Sequence, residues 1–215
     1  MATNEYLKAI DEELDRALDT GSPDAFISRF GFSVPSAAGV EAIAERSPDG
    51  VIEIGAGTGA WARALSDGGV SVLATDPHPA PSTDNEWFAH TEAYFEIAEA
   101  DHTIAGEHPR RTLLLSWPTR TRSWPYEALS MYHDAGGRRV AYIGEPVGGH
   151  TGDDVFHRLL GDLTRCRQCD DGDDTAPCVC DFKPLWRLED SVDLTRLPTH
   201  HDELRFYRRR RRRPW

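Results

Sequence analysis

The sequence predicts an α/β domain of 215 residues: a mainly parallel sheet covered by helices on both faces, with an antiparallel hairpin at one edge. Three observations predict it. Short, near-continuous apolar runs at 50–54, 70–75, 112–117 and 139–144 alternate with helical patterns, and strands lacking polar alternation are those buried on both faces. Gly55, Gly57 and Gly59 follow the first run directly and lead into a helical pattern. Near the end, 185–188 and 203–207 alternate like strands with a Pro-containing loop and no helical pattern between them.

The elements follow in order. Tyr6, Leu7, Ile10, Leu14 and Leu18 lie on one helical face of 4–18, with acids on the other, and Gly21, Ser22 and Pro23 stop that helix. Phe26, Ile27, Phe30 and Phe32 form a second apolar patch, read as a short helix and loop. Further helices are predicted at 37–46, 60–66, 126–133 and 153–163, the last with Asp153 as its N-cap, and a weaker strand at 96–98. The expected organisation is an N-terminal helical segment or lid (1–48), a main domain (49–207) with a Cys-rich loop (164–181), and an Arg-rich tail (208–215).

Hydrophobic residues at 39%, with six Trp, six Tyr and eight Phe, provide a core and argue against wholesale disorder. Asp and Glu outnumber Lys and Arg by 36 to 24, a net charge of -12, which disfavours nonspecific nucleic-acid binding unless the basic groups cluster. They do cluster in Arg208, Arg209, Arg210, Arg211, Arg212 and Arg213. That run reads as a solvated tail, as a contact for RNA, or as a partner for the protein's own acidic face. No stretch approaches the ~20 apolar residues of a membrane span. The first residues also lack the basic end and apolar stretch of a secretory signal, so a cytoplasmic location is expected.

The glycine loop is the most informative segment. Its alternate glycines let backbone approach a ligand closely, and the N–H groups at the following helix start suit an anionic group. Asp76 stands 23 residues after Glu53, at the end of the second strand, where a carboxylate accepts both hydroxyls of a ribose. Gly55, Gly57 and Ala60 satisfy a permissive dinucleotide fingerprint, so NAD(P) is one candidate ligand. S-adenosylmethionine (SAM) is the other. Its α-ammonium needs an acceptor, and Glu53 lies two residues before the first glycine. A carboxylate at the end of a central strand is costly unless it is used or paired.

Glu53-Ile54-Gly55-Ala56-Gly57-Thr58-Gly59, followed by Ala74-Thr75-Asp76, resembles the first two motifs of class I SAM-dependent methyltransferases, over roughly residues 50–160. The resemblance implies a Rossmann-like seven-stranded sheet of order 3-2-1-4-5-7-6 with the last strand antiparallel. It implies that Glu53, Gly55, Gly57 and Gly59 hold the methionine part and Asp76 the ribose. It matches Asp101 loosely to the adenine-contacting acid, and it places Ser116 at the fourth-strand motif bordering the transferred methyl. Ser116-Trp117-Pro118 departs there from the family's amino-methylating nucleic-acid branches, which carry Asn or Asp, two prolines and an aromatic. The same segment and Tyr142-Ile143-Gly144-Glu145 resemble a poorly characterised branch of methyltransferase-like proteins.

Trp117, Pro118, Trp124, Tyr126, Tyr142, Glu145 and His150 fall at or after the ends of the fourth and fifth strands, where side chains face the cofactor crevice. Glu145 and His150 are the candidate bases, with His200 and His201 as further candidates. All four cysteines, Cys166, Cys169, Cys178 and Cys180, fall in one loop. Two close thiolate pairs make a closed tetrahedral site for a structural Zn2+; a redox pair, an iron–sulfur cluster or free thiols are the alternatives. The expectation is a SAM-dependent methyltransferase acting on a small-molecule acceptor. An RNA or protein methyltransferase, an NAD(P)-dependent oxidoreductase and a noncatalytic nucleoside- or zinc-binding module are the other readings.

Overall fold

The computed structural model describes residues 5–164 and 181–210. Cys166, Cys169, Cys178 and Cys180, and with them the expected zinc site, lie outside the described residues, as do Arg211, Arg212 and Arg213. Seven strands form one sheet: β1 (Val51–Ile54), β2 (Val72–Asp76), β3 (Ile97–Glu99), β4 (Thr112–Ser116), β5 (Arg139–Gly144), β6 (Trp186–Asp193) and β7 (Glu203–Arg209). Their order is β3-β2-β1-β4-β5-β7-β6. The first five pair in parallel and β7 runs antiparallel to both β5 and β6. This is the Rossmann-like seven-stranded methyltransferase topology that the motifs implied.

Burial explains why the central strands read as apolar runs. Ile52, Ile54, Leu113 and Leu115 pack into one core with Tyr132, Tyr142, Phe156 and Trp186. Val51, Leu114, Ala141 and Ile143 point the other way, against Ile43, Trp61 and Leu65. Successive residues of a strand face opposite sides, so both sides must be apolar when both are covered. On the first face lie α5 (Trp124–Asp134) and α6 (Asp154–Leu160); on the second, α3 (Ala37–Arg46) and α4 (Ala60–Asp67). Each buried Leu, Ile or Phe side chain contributes about 1.5–3 kcal/mol of hydrophobic stabilisation.

Local chemistry sets the helix ends. Ser36 caps α3 by accepting from Gly39 N–H, and Asp153 caps α6 by accepting from Phe156 N–H. Gly161 ends α6 in the left-handed conformation, so this helix stops three residues short of the expected 163. The amphipathic helix α1 (Glu5–Thr20) and the short α2 (Asp24–Phe30) pack their apolar faces around Ile10, Leu14, Phe26 and Phe30 against Ala60 and Leu197. The expected strand at 185–188 continues to Asp193, across a register shift between Leu188 and Asp190. The last strand runs to Arg209, so Arg208 and Arg209 belong to the sheet rather than to a tail. Among the described residues no helix is long and apolar enough to cross a membrane.

Candidate functional site

The carboxyl ends of β1, β2 and β4 open into a cleft of about 470 Å³. Its floor is the glycine loop. Gly55 and Gly57 adopt φ of 71° and 58°, a backbone that side chains other than glycine rarely take. A Cβ on Gly57 would stand 2.8 Å from the Phe88 ring, and one on Gly55 would stand 3.1 Å from Trp124. The loop therefore has room only for backbone.

Most of the loop's N–H groups are already engaged. Gly55 and Ala56 donate to Thr75 O at 2.8 and 2.9 Å, and Gly59 donates to Ala56 O at 2.8 Å. Gly57 donates to Asp76 Oδ2 at 3.1 Å, while His78 N–H donates to Asp76 Oδ1 at 2.9 Å. Burial raises the Asp76 carboxyl above the ordinary value, and the two N–H donors partly offset this. A carboxylate oxygen has two acceptor sites, so each Asp76 oxygen retains one for a ligand hydroxyl.

Glu53 is the unusual group. It is 2% exposed, lies on the face of β1 covered by α4, and still borders the cleft. Its Oε2 has no hydrogen-bond partner in the protein. Burial pushes its carboxyl up to about 8, against a smaller opposing effect of the Ala62 N–H and with Asp76 adding repulsion. The group is thus neutral at pH 7 and can donate or accept, and a cation placed in the cleft would ionise it.

Ser116 lies at the end of β4, its Oγ 2.8 Å from Ser33 Oγ, which in turn accepts from Trp61 Nε1 at 2.8 Å. This chain ties the segment after α2 to the end of the fourth strand. Asp101 lines the rim of the cleft. Its Oδ1 accepts from Thr103 N–H at 2.9 Å and Thr103 Oγ1 at 2.6 Å, capping a 3-10 turn at His102–Glu107, and these bonds hold its carboxyl below the ordinary range.

The far end of the cleft is aromatic. Trp117 follows Ser116 at φ 49°, an uncommon backbone for a bulky residue. Its ring stacks on Phe32 at 5.4 Å between centroids and 17° between planes, with His200 at 4.3 Å. Trp87 meets Phe32 edge-on at 5.3 Å and is 56% exposed at the mouth. Asn85 holds that roof in place. Its Oδ1 accepts from Trp87 and Phe88 N–H at 3.0 and 2.8 Å, and its Nδ2 donates to His78 O at 2.6 Å. Near the Trp117 indole N–H, Asp202 is 1% exposed. Burial raises its carboxyl, and its own N–H, His200 and the indole offset this only in part.

Of the residues named from the sequence, Glu53, Gly55, Gly57, Asp76, Asp101 and Ser116 line this cleft. Gly59 does not. At φ 73° it turns the chain into α4, and a Cβ there would meet Phe95. Glu145 and His150 are not brought to the cleft either. Glu145 is 2% exposed and accepts from His150 Nδ1 at 2.8 Å, His150 N–H at 2.7 Å and His201 N–H at 3.1 Å, binding two loops together. Those bonds hold its carboxyl below the ordinary value despite burial. Pro118, Tyr126 and Tyr142 do not line the cleft, and the Tyr142 hydroxyl donates to Glu145 O at 2.6 Å beneath α6. Ser33, Trp61, Asn85, Trp87 and Phe88 were not singled out by sequence pattern. They lie in irregular segments or on a helix whose helical face reads as core. Among the described residues no group of three or more His, Cys, Asp or Glu is placed to hold a metal ion.

No protein-family model and no curated protein matches the sequence. Among solved structures, magnesium protoporphyrin IX methyltransferase from Synechocystis PCC 6803 with bound SAM overlaps 95% of this chain and 79% of its own, at 13% identity and a TM-score of 0.46. A structure concerned with conversion of a disulfide bond into a thioacetal group during echinomycin biosynthesis overlaps 85% and 83%, at 20% identity and a TM-score of 0.45. Human N-acetylserotonin methyltransferase in complex with SAM overlaps 97% and 60%, at 10% identity and a TM-score of 0.45. Overlaps this weak carry no weight for function, and the fold assignment rests on the strand order itself.

Proposed function

We propose that the protein is a SAM-dependent methyltransferase acting on a small acceptor. The observation that carries this reading is Glu53: a buried carboxyl with an unpartnered oxygen, beside a glycine loop and open to the cleft. An ammonium group would ionise it and pair with it, whereas a pyrophosphate would leave it protonated and gain no ion pair. The engaged N–H groups of Gly55, Ala56, Gly57 and Gly59 argue the same way, because a dinucleotide's phosphates need free donors there.

Glu53 and the backbone at Gly55 and Gly57 would hold the methionine part of SAM, Asp76 the ribose, and Asp101 the rim beside the base. When bound, SAM supplies an electrophilic methyl on a sulfonium centre, with a neutral thioether as leaving group. The chain's own task is then positioning and exclusion of water. Ser116 and Trp117 would border the reacting end, and the Phe32, Trp87 and Trp117 rings would hold a flat acceptor by stacking. The segment after α2 and the Asn85-Trp87-Phe88 roof would close over both ligands. No nearby side chain is assigned the role of base, since Glu145 and His150 are committed to each other elsewhere.

Calorimetric titration with S-adenosylhomocysteine (SAH), beside NAD and NADP, tests the reading. One-to-one binding of SAH alone is expected. Binding of either dinucleotide in preference to SAH would overturn it.

A further inference from the structure

Carboxylates exceed cations in this chain, and among the described residues Arg16, Arg29, Arg46, Arg63, Arg122, Arg187, Arg196, Arg205 and Arg208 form ion pairs; one end of the sheet departs from that pattern. Arg110 and Arg111 lead into β4, Arg138 precedes Arg139 at the start of β5, and Arg210 follows Arg209 at the end of β7. None of these six forms an ion pair among the described residues, although their neighbours Arg46, Arg187 and Arg208 do, with Glu45, Asp190 and Glu189.

The six are held together by backbone pairing. Arg139 lies opposite Arg208 in the β5–β7 ladder, and Arg187 opposite Arg208 in the β6–β7 ladder. Arg209 N–H donates to Arg138 O at 3.1 Å, and Arg210 N–H to Leu185 O at 2.9 Å. The Tyr132 hydroxyl contacts both Arg111 O at 2.5 Å and Arg139 O at 3.0 Å, linking the entry of β4 to that of β5. Arg111 and Arg210 also give side-chain hydrogen bonds to backbone carbonyls, which fix the side chains without neutralising them. The result is a cluster of cations at the start of the parallel strands, at the opposite end of the sheet from the cleft, with Glu45 and Glu189 beside Arg139 and Arg208.

Such a row carries its own repulsion, which an external anion would relieve. Neighbouring strands are about 4.8 Å apart, so the two steps from β4 through β5 to β7 span about 10 Å. One nucleic-acid strand rises about 3.4 Å per phosphate, so the row matches about three phosphates. The guanidinium fork also suits phosphate oxygens better than an ammonium does. Trp186, which lies opposite Arg209, is fully buried and offers no ring for base stacking.

We infer that this arginine edge docks the phosphate backbone of a duplex nucleic acid, without reading its sequence, at the end of the sheet away from the cleft. The inference is independent of the methyltransferase reading.

The test is fluorescence anisotropy with the full-length protein and labelled RNA and DNA duplexes, between about 50 and about 200 mM salt. Both duplexes are expected to bind, with log K falling against log salt at a slope of about -2.7, the value for about three phosphates. The double variant Arg138→Gln, Arg209→Gln keeps residues 211–215 and should bind at least about tenfold more weakly, with a slope shallower by about two. Its SAH affinity and thermal midpoint should match wild type, which separates lost docking from lost folding. Four results would overturn the inference: no duplex binding at low salt, an unchanged slope in the double variant, binding to anionic lipid vesicles but not to duplexes, or a loss caused by deleting 211–215 while the double variant binds normally.

Discussion

Glu53 sits at the end of a central strand with one oxygen unpartnered, and its protonation has measurable consequences. Its folded value of about 8 lies above the ordinary 4.5, so the stability contributed by the neutral form is fully present below about pH 4.5 and is lost as pH rises through about 8. Glu53→Gln, which cannot ionise, should therefore melt higher than wild type at alkaline pH and show little gain in acid, as read by thermal unfolding across that range. An ammonium beside Glu53 favours the carboxylate, so SAH binding near neutral pH should release close to one proton. Calorimetry in buffers of different ionisation enthalpy reads that release, and it should vanish in Glu53→Gln. Asp76→Ala removes both the acceptor of Gly57 N–H and the proposed ribose contact, and SAH affinity should fall at least about tenfold, equivalent to losing one charge-assisted hydrogen bond. Glu53 and Asp76 were legible in the sequence because each is fixed by its distance from a strand end. Glu145 and His150, expected at the crevice by the same logic, do not line the cleft. They do follow β5, but their mutual hydrogen bond and the bond from His201 turn them into loop ties.

At the scale of elements, the parallel strands and their covering helices follow from apolar runs alternating with helical periods. The edge hairpin was only half legible. Its register shift between Leu188 and Asp190 breaks the alternation that marks a strand, and six of the eight residues of β6 are exposed, so no buried face announces it. The roof over the cleft was illegible for a different reason. Asn85, Trp87 and Phe88 are placed by side-chain-to-backbone bonds in a segment without helix or strand period. Two substitutions test the packing. Leu114→Ala, at a fully buried position in β4 against α3 and α4, should cost about 2–5 kcal/mol in urea unfolding. Gly39→Ala should cost about 1–3 kcal/mol, because its Cβ would stand 2.8 Å from the Trp61 ring and 3.1 Å from Leu194, which wedges α3 away from α4.

Across the whole molecule, the sheet separates two surfaces: a cleft with acidic and aromatic walls at the carboxyl ends of the strands, and an arginine row at their starts. Trp61, Trp87, Trp117 and Trp124 all border the cleft, so ligand binding there should change the intrinsic fluorescence. The central claim is that a cationic amino acid end rests against Glu53 and a ribose against Asp76. A crystal structure of the SAH complex tests it most directly. The account predicts the ligand's ammonium within hydrogen-bond reach of Glu53, directly or through one water, and both sugar hydroxyls on the Asp76 carboxylate. Density for the ligand at any other place on the chain, or its sugar turned away from Asp76, would contradict it.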